Sequence, residues 1–376
     1  MLHTSDWHLG RLFFGTHLTE DQAHVLDQLI ALAVDYKAHV VLVSGDVFDR
    51  AVPPVEAVEL LNHVLCRLVL DHGIPVIMIP GNHDSAARLG FAADALAKTG
   101  LHVIGEVNSV EPIIIEDQHG PVEFFPLPYA EPALVRDRLN ASDAVDHHAA
   151  MAVQTASALD RRTKGRRAVA LAHAFVAGGD ITESERPLSV GGTGAVQSSV
   201  FDGFDYIALG HLHRPQGMDS GRINYPGSLL QYSFSEIRDT KSVSLVEMDA
   251  QGRTSLERVS LSPRRKLRLL EGTLADLLKA DPSDDYFLVR LLDQGALLDP
   301  MGRLRKVFPN VVHLERPHLT TAAGDARADR DYRRQTMLDL FGDFFSQVTG
   351  RDLNPAEHAA LMDVVKAAEA NDRGEE

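Results

Sequence analysis

Aspartate, asparagine and histidine side chains gather at five points within the first 213 residues of the sequence. In chain order they stand in the segments Asp6-Trp7-His8, Gly45-Asp46-Val47-Phe48-Asp49, Gly81-Asn82-His83-Asp84, the single His173, and Gly210-His211-Leu212-His213. A pair of metal ions about 3.5–4 Å apart requires such groups, with one carboxylate bridging the ions and further ligands on each side. Mixed nitrogen and oxygen ligands suit Mn²⁺, Fe²⁺ or Zn²⁺, whereas Mg²⁺ and Ca²⁺ prefer oxygen alone. One such histidine alone would usually be structural, but the ordered set favours a metal centre.

Each of these groups follows a short apolar segment that we predict to be a β-strand. The five segments are Leu2–Thr4, Val40–Val43, Val76–Ile79, Ala168–Ala172 and Tyr206–Leu209. Their length and their flanking glycine, proline, serine or histidine residues are typical of buried strands. The carboxyl ends of such strands share one crevice in an open α/β sheet, so residues 200 positions apart can converge there.

Helical patterns and hairpins fill the sequence between these strands. The predicted helices are Asp21–Tyr36, Val55–Leu70 and Ala86–Lys98, and the predicted hairpins pair Pro112–Glu116 with Val122–Phe125 and Val243–Met248 with Thr254–Val259. Alternation of strands and helices with a few antiparallel hairpins predicts an α/β core with mixed sheets.

The pattern changes near Lys266, where a small α+β unit is predicted. Its three strands are Leu267–Leu270, Phe287–Leu292 and Val311–Glu315, with helices near Leu274–Leu278 and Gly302–Phe308. After a polar linker, apolar residues recur at helical spacing at Met337, Leu340, Phe341, Phe344, Phe345 and Val348, and a second helix begins at Asn354. We therefore expect a metal-binding domain at 1–262, an α+β domain at 263–316, a linker at 317–330 and C-terminal helices at 331–376.

Composition narrows the possible functions. The 37 basic and 53 acidic residues give a formal charge of −16, so a phosphate substrate needs local positive charge from a metal or a basic patch. Cys66 is the only cysteine, which excludes disulfides within the chain and indicates a reducing cytoplasm. The longest apolar runs are far shorter than the roughly 18 residues of a membrane span, and Asp6 and His8 interrupt any signal peptide. We expect a cytoplasmic protein without a membrane partner.

The five motifs read Asp-x-His, Gly-Asp-x-x-Asp, Gly-Asn-His-Asp, a solitary His and Gly-His-x-His, and together they resemble those of calcineurin-like metallophosphoesterases. The flanking segments 2–10 and 207–213 resemble more specifically the Mre-type nucleases of double-strand-break repair. The resemblance is strong over about residues 1–262 and rests on architecture beyond them. It implies an α/β fold, a four-layer αββα sandwich, followed by a small α+β capping domain that contacts DNA and by C-terminal partner-binding helices.

The resemblance also implies a role for each site residue. Asp46 would bridge two Mn²⁺ ions, which are favoured over Mg²⁺, Fe²⁺ or Zn²⁺. The ligands of one ion would be completed by Asp6, His8 and His213, and those of the other by Asn82, His173 and His211. His83 resembles the catalytic histidine that protonates the leaving oxygen without binding metal. Asp84 would orient that imidazole. Asp49 would support the metal ligands without binding metal itself, at a position where the residue type varies among relatives.

The leading functional hypothesis is a manganese-dependent DNA nuclease of repair and recombination. It would act as a 3′–5′ exonuclease on double strands and as an endonuclease at hairpins or blocked ends. An SMC-like ATPase would bind the C-terminal helices, which carry Phe341, Phe344 and Phe345. The family also implies a homodimer within a heterotetramer, paired through Pro54–Leu70 and Leu89–Leu96; packing of these helices onto the sheet explains their periodicity equally well.

Two other hypotheses come from different classes of protein. A stand-alone phosphodiesterase or phosphatase would act on a smaller substrate, but protein phosphatases of the superfamily carry Gly where this chain has Ala51 and Glu where it has Asp84. Such enzymes also rarely need the 110 or so residues that follow Leu261. A non-catalytic scaffold is disfavoured because the seven ligands and His83 are all present.

Three basic segments and one loop are weaker candidates for substrate contact. The basic segments are Arg161–Arg167, Arg264–Lys266 and the group Arg303, Arg305 and Lys306, and each could contact DNA or simply be solvated. The loop Tyr225-Pro226-Gly227-Ser228 could contact a substrate phosphate or form a plain turn.

Overall fold

The computed structural model describes residues 1–107, 111–188, 194–317, 342, 345, 346 and 349–372. The chain divides into two compact units, Met1–Lys266 and Leu267–Glu376. Within the described ranges, no helix is long and apolar enough to cross a membrane.

The first unit contains fourteen described strands and six described α-helices. The strands are β1 Leu2–Thr4, β2 Leu12–Phe13, β3 Thr16–His17, β4 Val41–Ser44, β5 Val76–Ile79, β6 Leu101–Val103, β7 Ile113–Asp117, β8 Gly120–Leu127, β9 Arg167–His173, β10 Tyr206–Gly210, β11 Gln216–Met218, β12 Ile223–Tyr225, β13 Ser242–Met248 and β14 Thr254–Ser260. The helices are α1 Thr19–Asp35, α2 Val55–Cys66, α3 Ala86–Leu89, α4 Ala93–Ala97, α5 Pro132–Leu139 and α6 His147–Leu159.

Two six-stranded mixed sheets organise this unit. The first has the strand order β14-β13-β1-β4-β5-β6, with β1, β4, β5 and β6 parallel and the β13–β14 hairpin antiparallel. The second has the order β11-β12-β10-β9-β8-β7, with β12, β10, β9 and β8 parallel and antiparallel strands at both edges. Both predicted hairpins are confirmed.

The sheets pack face to face through a buried apolar layer. Leu42 and Ile77 of the first sheet lie in one cluster with Phe124, Leu171 and Ala208 of the second. A second cluster covers the other face of the second sheet with Met151 and Ala158 of α6, while α1 buries one apolar stripe and contacts α2. The result is the expected four-layer αββα sandwich.

The helices differ from prediction in two places. α2 ends at Cys66 and continues as one turn of π-helix, Arg67–Asp71. The single helix predicted over 86–98 was wrong, because the chain forms α3 and α4 with Gly90–Ala92 between them. Gly90 ends the first turn and Ala92 adopts a left-handed φ of 59°, a conformation that no helix interior accommodates.

The second unit contains a three-stranded parallel sheet that matches the predicted α+β pattern. Its elements are β15 Leu267–Gly272, α7 Leu274–Leu277, β16 Tyr286–Leu291, α8 Pro300–Leu304 and β17 Val311–Glu315. The helix predicted to begin at Gly302 begins earlier because the Asp299 carboxylate caps it by accepting from Gly302 N. Asn354 caps the helix Pro355–Asp372 as predicted. The apolar positions Met337, Leu340, Phe341, Phe344 and Val348 lie outside the described residues.

Candidate metal centre

The predicted site residues follow the carboxyl ends of five parallel strands, β1, β4 and β5 in one sheet and β9 and β10 in the other. The backbone is unusual at four of them, because Asp6, His8, Asp46 and His211 have φ values of 52°, 46°, 49° and 104°. Side chains with a Cβ rarely adopt these values, and such strain persists only where the surroundings enforce it. The strained positions coincide with predicted ligands.

Asp46 lies between histidines from both sheets. Its Oδ2 atom lies 3.6 Å from His8 Nε2, 3.5 Å from His173 Nε2 and 4.0 Å from His83 Nε2. Its other oxygen, Oδ1, accepts a hydrogen bond from His83 N at 2.9 Å. The carboxylate therefore has one oxygen directed at imidazoles of both predicted metal sites, as a bridging ligand requires.

Asp6, His8 and His213 form a compact group on one side of Asp46. Their ligand atoms all lie within 4.8 Å of one another, and all three residues are buried. The Asp6 carboxylate accepts the backbone N–H of His211 and the hydroxyl of Ser5. His8 Nε2 and His213 Nε2 lie 3.0 Å apart, so the two ring nitrogens share one small space.

His173 and Asn82 lie on the other side. Asn82 Oδ1 is 2.9 Å from His173 Nε2, and His173 Nδ1 donates to the backbone oxygen of Ser44 at 3.0 Å. That bond leaves Nε2 directed toward Asp46, the arrangement in which an imidazole binds metal while its other nitrogen fixes the ring. The ring of His211 contacts His173 edge-on, with centroids 5.4 Å apart.

Glycines allow these loops to converge mainly because the missing Cβ lets neighbouring atoms approach the backbone closely. A Cβ on Gly81 would lie 2.2 Å from Asp46 Oδ1, and one on Gly210 would lie 1.9 Å from the backbone oxygen of Ser44. Gly45 also has a left-handed φ of 89°, and its Cβ would lie 2.3 Å from His173 Nδ1. Of these three glycines, only Gly45 has a left-handed φ, so close approach alone requires glycine at the other two positions.

The pKa values of the Asp6 and Asp46 carboxylates are shifted in opposite directions. Burial raises the pKa of Asp6 to about 8, and the nearby charge of Asp46 adds to the rise. Burial acts the same way on Asp46, but the imidazoles of His173 and His8 outweigh it and hold the Asp46 pKa well below its usual range. Cations placed between these acids would favour the ionised form of both.

One of the four buried histidines of the centre has a raised pKa, and the other three have lowered pKa values. Burial lowers the pKa of His8 to about 3, and burial also lowers the pKa of His211 and of His213. Burial would lower the pKa of His173 too, but the Asp46 carboxylate raises it to about 9. Neutral imidazoles are the form that binds metal.

His83 is held by the backbone of Asp49, a contact that the sequence did not indicate. Its Nδ1 donates to the backbone oxygen of Asp49 at 2.8 Å, which leaves Nε2 facing the centre. Asp84, predicted to orient His83, instead accepts the backbone N–H groups of Val47, Phe48 and Gly81. These three hydrogen bonds join the loop that carries Asp46 to the loop that carries Asn82. Burial raises the pKa of Asp84 to about 7, so this carboxyl is only partly ionised near neutral pH.

Asp49 uses its carboxylate elsewhere. Its Oδ1 lies 3.4 Å from His8 Nδ1 and accepts a hydrogen bond from Arg11 at 3.2 Å. Arg11 in turn lies over the ring of Tyr232, 4.9 Å from its centroid. Asp49 therefore contacts His8 with its carboxylate and His83 with its backbone oxygen.

A buried polar cluster behind His213 was missed by the sequence reasoning. Ser184 Oγ lies 2.5 Å from His213 Nδ1 and donates to Glu236, which is fully buried. Lys241 Nζ pairs with Glu236 at 2.6 Å and donates to the backbone oxygen of His213 at 2.7 Å. No motif marks Ser184, which stands in a loop, or Glu236, which ends the short 3₁₀ helix Phe234–Glu236. A buried glutamate in such a short turn gives no sequence signal.

The weaker substrate-contact candidates are mostly engaged in structure. In the segment 161–167, Arg161 pairs with a glutamate, and Arg166 and Arg167 pair with Glu123 and Asp117 at 3.1 and 2.6 Å. Arg265 pairs with Asp21 at 2.9 Å, and Arg264 pairs with Glu20. The hydroxyl of Tyr225 bonds backbone groups, and Ser228 Oγ is buried and bonds Leu230 O. These contacts favour the structural interpretation of the basic segments 161–167 and 264–266 and of the loop 225–228.

The residues present fit a pair of divalent cations. Carboxylate and imidazole donors converge from two sheets in a buried space. The carboxylates of Asp6 and Asp46 share this space, and cations between them would stabilise the ionised form of both. A nitrogen-rich set of this kind suits Mn²⁺, Fe²⁺ or Zn²⁺.

Comparisons with known proteins agree with this chemistry. A family model described as calcineurin-like phosphoesterase matches residues 1–215, and one described as type 5 capsule protein repressor C-terminal domain matches residues 263–349. The chain is 30% identical over 372 residues to the SbcD subunit of the SbcCD nuclease of Staphylococcus saprophyticus, covering 98% of each protein. A crystal structure of a Thermus thermophilus protein is similar over 69% of this chain and 98% of that one, with 14% identity and a TM-score of 0.40.

Proposed function

This chain belongs to the calcineurin-like phosphoesterase family as an SbcD-type nuclease subunit, and we propose that it cleaves DNA with two Mn²⁺ ions. It is a metal-dependent phosphodiester hydrolase. The proposed activities are 3′–5′ exonuclease on double-stranded DNA and endonuclease at hairpins or blocked ends, within a complex that serves DNA repair and recombination in the cytoplasm. The observation that carries the proposal is the convergence of Asp6, His8, Asp46, His173 and His213 in one buried site.

Within this proposal, Asp46 bridges the two ions. Asp6, His8 and His213 would hold one ion, and Asn82, His173 and His211 the other. When bound, the two ions would supply Lewis-acid activation of the phosphodiester and of a water molecule. The bonds from Ser184 and Ser44 to the Nδ1 atoms of His213 and His173 fix both rings with Nε2 toward the centre.

His83 has the geometry of a proton donor to the leaving oxygen. Its Nδ1–H is held by the Asp49 carbonyl, and its Nε2 lies 4.0 Å from Asp46 Oδ2, at the edge of the centre. The His83 side chain is 10% exposed, which allows contact with a substrate while limiting access of water. General acid catalysis requires such a positioned imidazole.

We also propose the partners that the family relationship suggests. The chain would bind an SbcC-type SMC-like ATPase through its C-terminal helices, residues 331–376, after a linker at 317–330. The α+β domain at 263–316 would cap the nuclease domain at 1–262 and contact DNA. Two copies would pair through α2 and the segment near Phe91, where Val55, Val58 and Phe91 are 68%, 46% and 80% exposed.

The direct test is hydrolysis by the metal-loaded protein of labelled DNA and of bis(p-nitrophenyl) phosphate, a small diester. The proposal expects Mn²⁺-dependent shortening of double strands from 3′ ends and opening of hairpins. Cleavage of the small diester without any cleavage of DNA would favour the stand-alone phosphodiesterase. Inactivity on both substrates with two ions bound would favour a scaffold.

A further inference from the structure

Three arginines line a pocket of about 360 Å³ next to the metal centre. We call the space between Arg214, Arg238 and Arg258 the arginine pocket; Asp239, Ser242 and Ser260 also line it. The pocket lies wholly within the first unit of the chain, and none of the roles assigned above uses it.

Strand register places this pocket at the same end of the sandwich as the metal centre. Ser244 of β13 pairs antiparallel with His3 of β1, so Ser242 lies further toward the carboxyl end of β1, where Ser5 and Asp6 follow. Arg214 is the residue after His213, and Lys241, next to Ser242, donates to the backbone oxygen of His213. The pocket thus borders the side of the centre formed by Asp6, His8 and His213.

The pocket carries excess positive charge on a chain whose formal charge is −16. Arg214 pairs with Asp239 at 3.2 Å, so these two charges compensate each other. Arg258 donates to the neutral amide oxygen of Asn224 at 3.3 Å, and Asn224 is fully buried and bonded to Ser244. Arg238 is exposed and has no carboxylate partner within the part of the chain that the structure describes. In the described part of the chain, the guanidinium groups of Arg238 and Arg258 therefore have no carboxylate partner.

A buried hydroxyl in the same pocket also lacks a partner. Ser242 is only 4% exposed, and its Oγ has no hydrogen-bond partner among the residues that the structure describes. Buried hydroxyls without a partner are rare and costly, so each one needs a physical explanation. Because Ser242 lines the pocket, an acceptor oxygen bound between the arginines would satisfy this hydroxyl.

We propose that the arginine pocket binds a non-scissile phosphate of the DNA strand whose scissile phosphate occupies the metal centre. Guanidinium groups match phosphate oxygens with paired hydrogen bonds, and the Ser242 hydroxyl supplies one further donor. The assignment rests on the proposed function, since it takes DNA as the substrate. The arginine pocket would supply the local positive charge with which an acidic protein can hold DNA next to the metal centre.

The test compares two double variants of the full-length protein loaded with Mn²⁺. Arg238→Gln/Arg258→Gln removes both uncompensated charges from the arginine pocket. Lys37→Gln/Arg253→Gln removes the same charge from a cleft lined by Met1 and Val40, at the opposite ends of the strands. Ser242→Ala is a milder third variant that keeps every charge. Each is assayed on an oligonucleotide and on bis(p-nitrophenyl) phosphate, which has only the scissile phosphate.

We expect KM for the oligonucleotide to be about tenfold higher in the arginine variant than in wild type. Its kcat/KM for the small diester should differ from that of wild type by less than twofold. The slope of log affinity for DNA against log salt should fall by about 0.7–0.9, the loss of one phosphate contact. Ser242→Ala should raise KM in the same direction, and the Lys37/Arg253 variant should match wild type on both substrates.

Several results would overturn the inference. An arginine variant that cleaves the oligonucleotide like the control variant excludes a DNA contact, and an equal loss on both substrates means that the arginines act on the metal centre. Inorganic phosphate is the third probe. If it binds wild type as tightly as the oligonucleotide does, and if the arginine variant no longer binds it, the pocket is a site for free phosphate instead. If wild type cleaves the small diester but no DNA, the proposed function itself is wrong, and the assignment of the pocket to a DNA phosphate is wrong with it.

Discussion

The backbone oxygen of Asp49 accepts a hydrogen bond from His83 Nδ1 at 2.8 Å, across 34 positions of sequence. A carbonyl oxygen accepts only, so the bond fixes the proton on Nδ1 and directs Nε2 toward the centre. Asp49 contributes a second contact, because its carboxylate lies 3.4 Å from His8 Nδ1. One loop after β4 thus positions both the proposed proton donor and a proposed ligand.

The cluster behind His213 gives the first prediction. Ser184→Ala removes the hydroxyl that lies 2.5 Å from His213 Nδ1 and frees the ring to rotate. Loss of such a supporting contact typically weakens metal binding about 10–100-fold. Calorimetric titration of the metal-free protein with Mn²⁺ should show this weakening at one of two sites.

A matched control for this variant is Ser255→Ala, since Ser255 is an exposed serine of β14 that lines the cleft at the opposite ends of the strands from the centre. Its Mn²⁺ affinities should equal those of wild type. Wild-type affinities in Ser184→Ala would contradict the supporting role of Ser184.

Stability at acidic pH gives the second prediction. Burial lowers the pKa of His3 from 6.5 to about 3, so the unfolded chain takes up a proton in this interval that the folded chain refuses. His3 therefore lowers the free energy of unfolding as pH falls below 6.5, by up to about 1.4 kcal/mol for each pH unit. His3→Gln lacks this dependence.

Urea unfolding of wild type and His3→Gln between pH 7 and pH 4 measures the effect. Wild type should lose stability relative to the variant as pH falls, and the loss should be small above pH 6.5. Parallel stability profiles of the two proteins would exclude a neutral His3 in the folded state.

The third prediction concerns pairing of two copies. Phe91 and Val55 are 80% and 68% exposed, and such apolar side chains favour a partner surface. Light scattering at micromolar concentration should give a dimer for wild type and a monomer for Val55→Glu/Phe91→Glu. Leu298→Glu, at a residue 89% exposed in the second unit, should remain dimeric. A monomeric wild type would contradict the proposed pairing.

The fourth prediction separates the catalytic unit from partner binding. Every site residue lies in Met1–Lys266, so a chain that ends before Asp331 should fold and keep Mn²⁺-dependent nuclease activity. It should no longer bind the ATPase or respond to ATP. Phe341→Glu/Phe344→Glu should have the same effect on binding, because burial of each phenylalanine is worth about 1.5–3 kcal/mol. Unchanged ATPase affinity in that variant would mean that these residues do not dock the partner.

Strand ends were the most predictable part of this molecule. Val76–Ile79 matches β5 residue for residue, and the strand predicted at Val40–Val43 is shifted by one to β4. Short buried strands are bounded by glycine and polar residues, so both their position and the side chains at their carboxyl ends can be read from residue type. The predicted ligands converge for that reason.

Contacts made by backbone atoms and by isolated loop residues could not be predicted. The acceptor for His83 is a carbonyl oxygen, which every residue has, so the type of residue 49 carries no signal for it. The family resemblance predicts that Asp84 orients His83, whereas the Asp84 carboxylate accepts hydrogen bonds from three backbone amides. Ser184 reaches His213 only through the path of its loop. These relationships depend on tertiary geometry rather than on pattern.

Metal content measured together with DNA cleavage tests the central claim most directly. Wild type, Asp46→Ala and His83→Leu would be loaded with Mn²⁺, desalted and analysed for bound metal and for hydrolysis of a labelled duplex. We expect two ions in wild type, two ions with most activity lost in His83→Leu, and loss of both metal and activity in Asp46→Ala. Equal metal loss in the two variants, or DNA cleavage by Asp46→Ala at the wild-type rate, would contradict a centre bridged by Asp46 and served by His83.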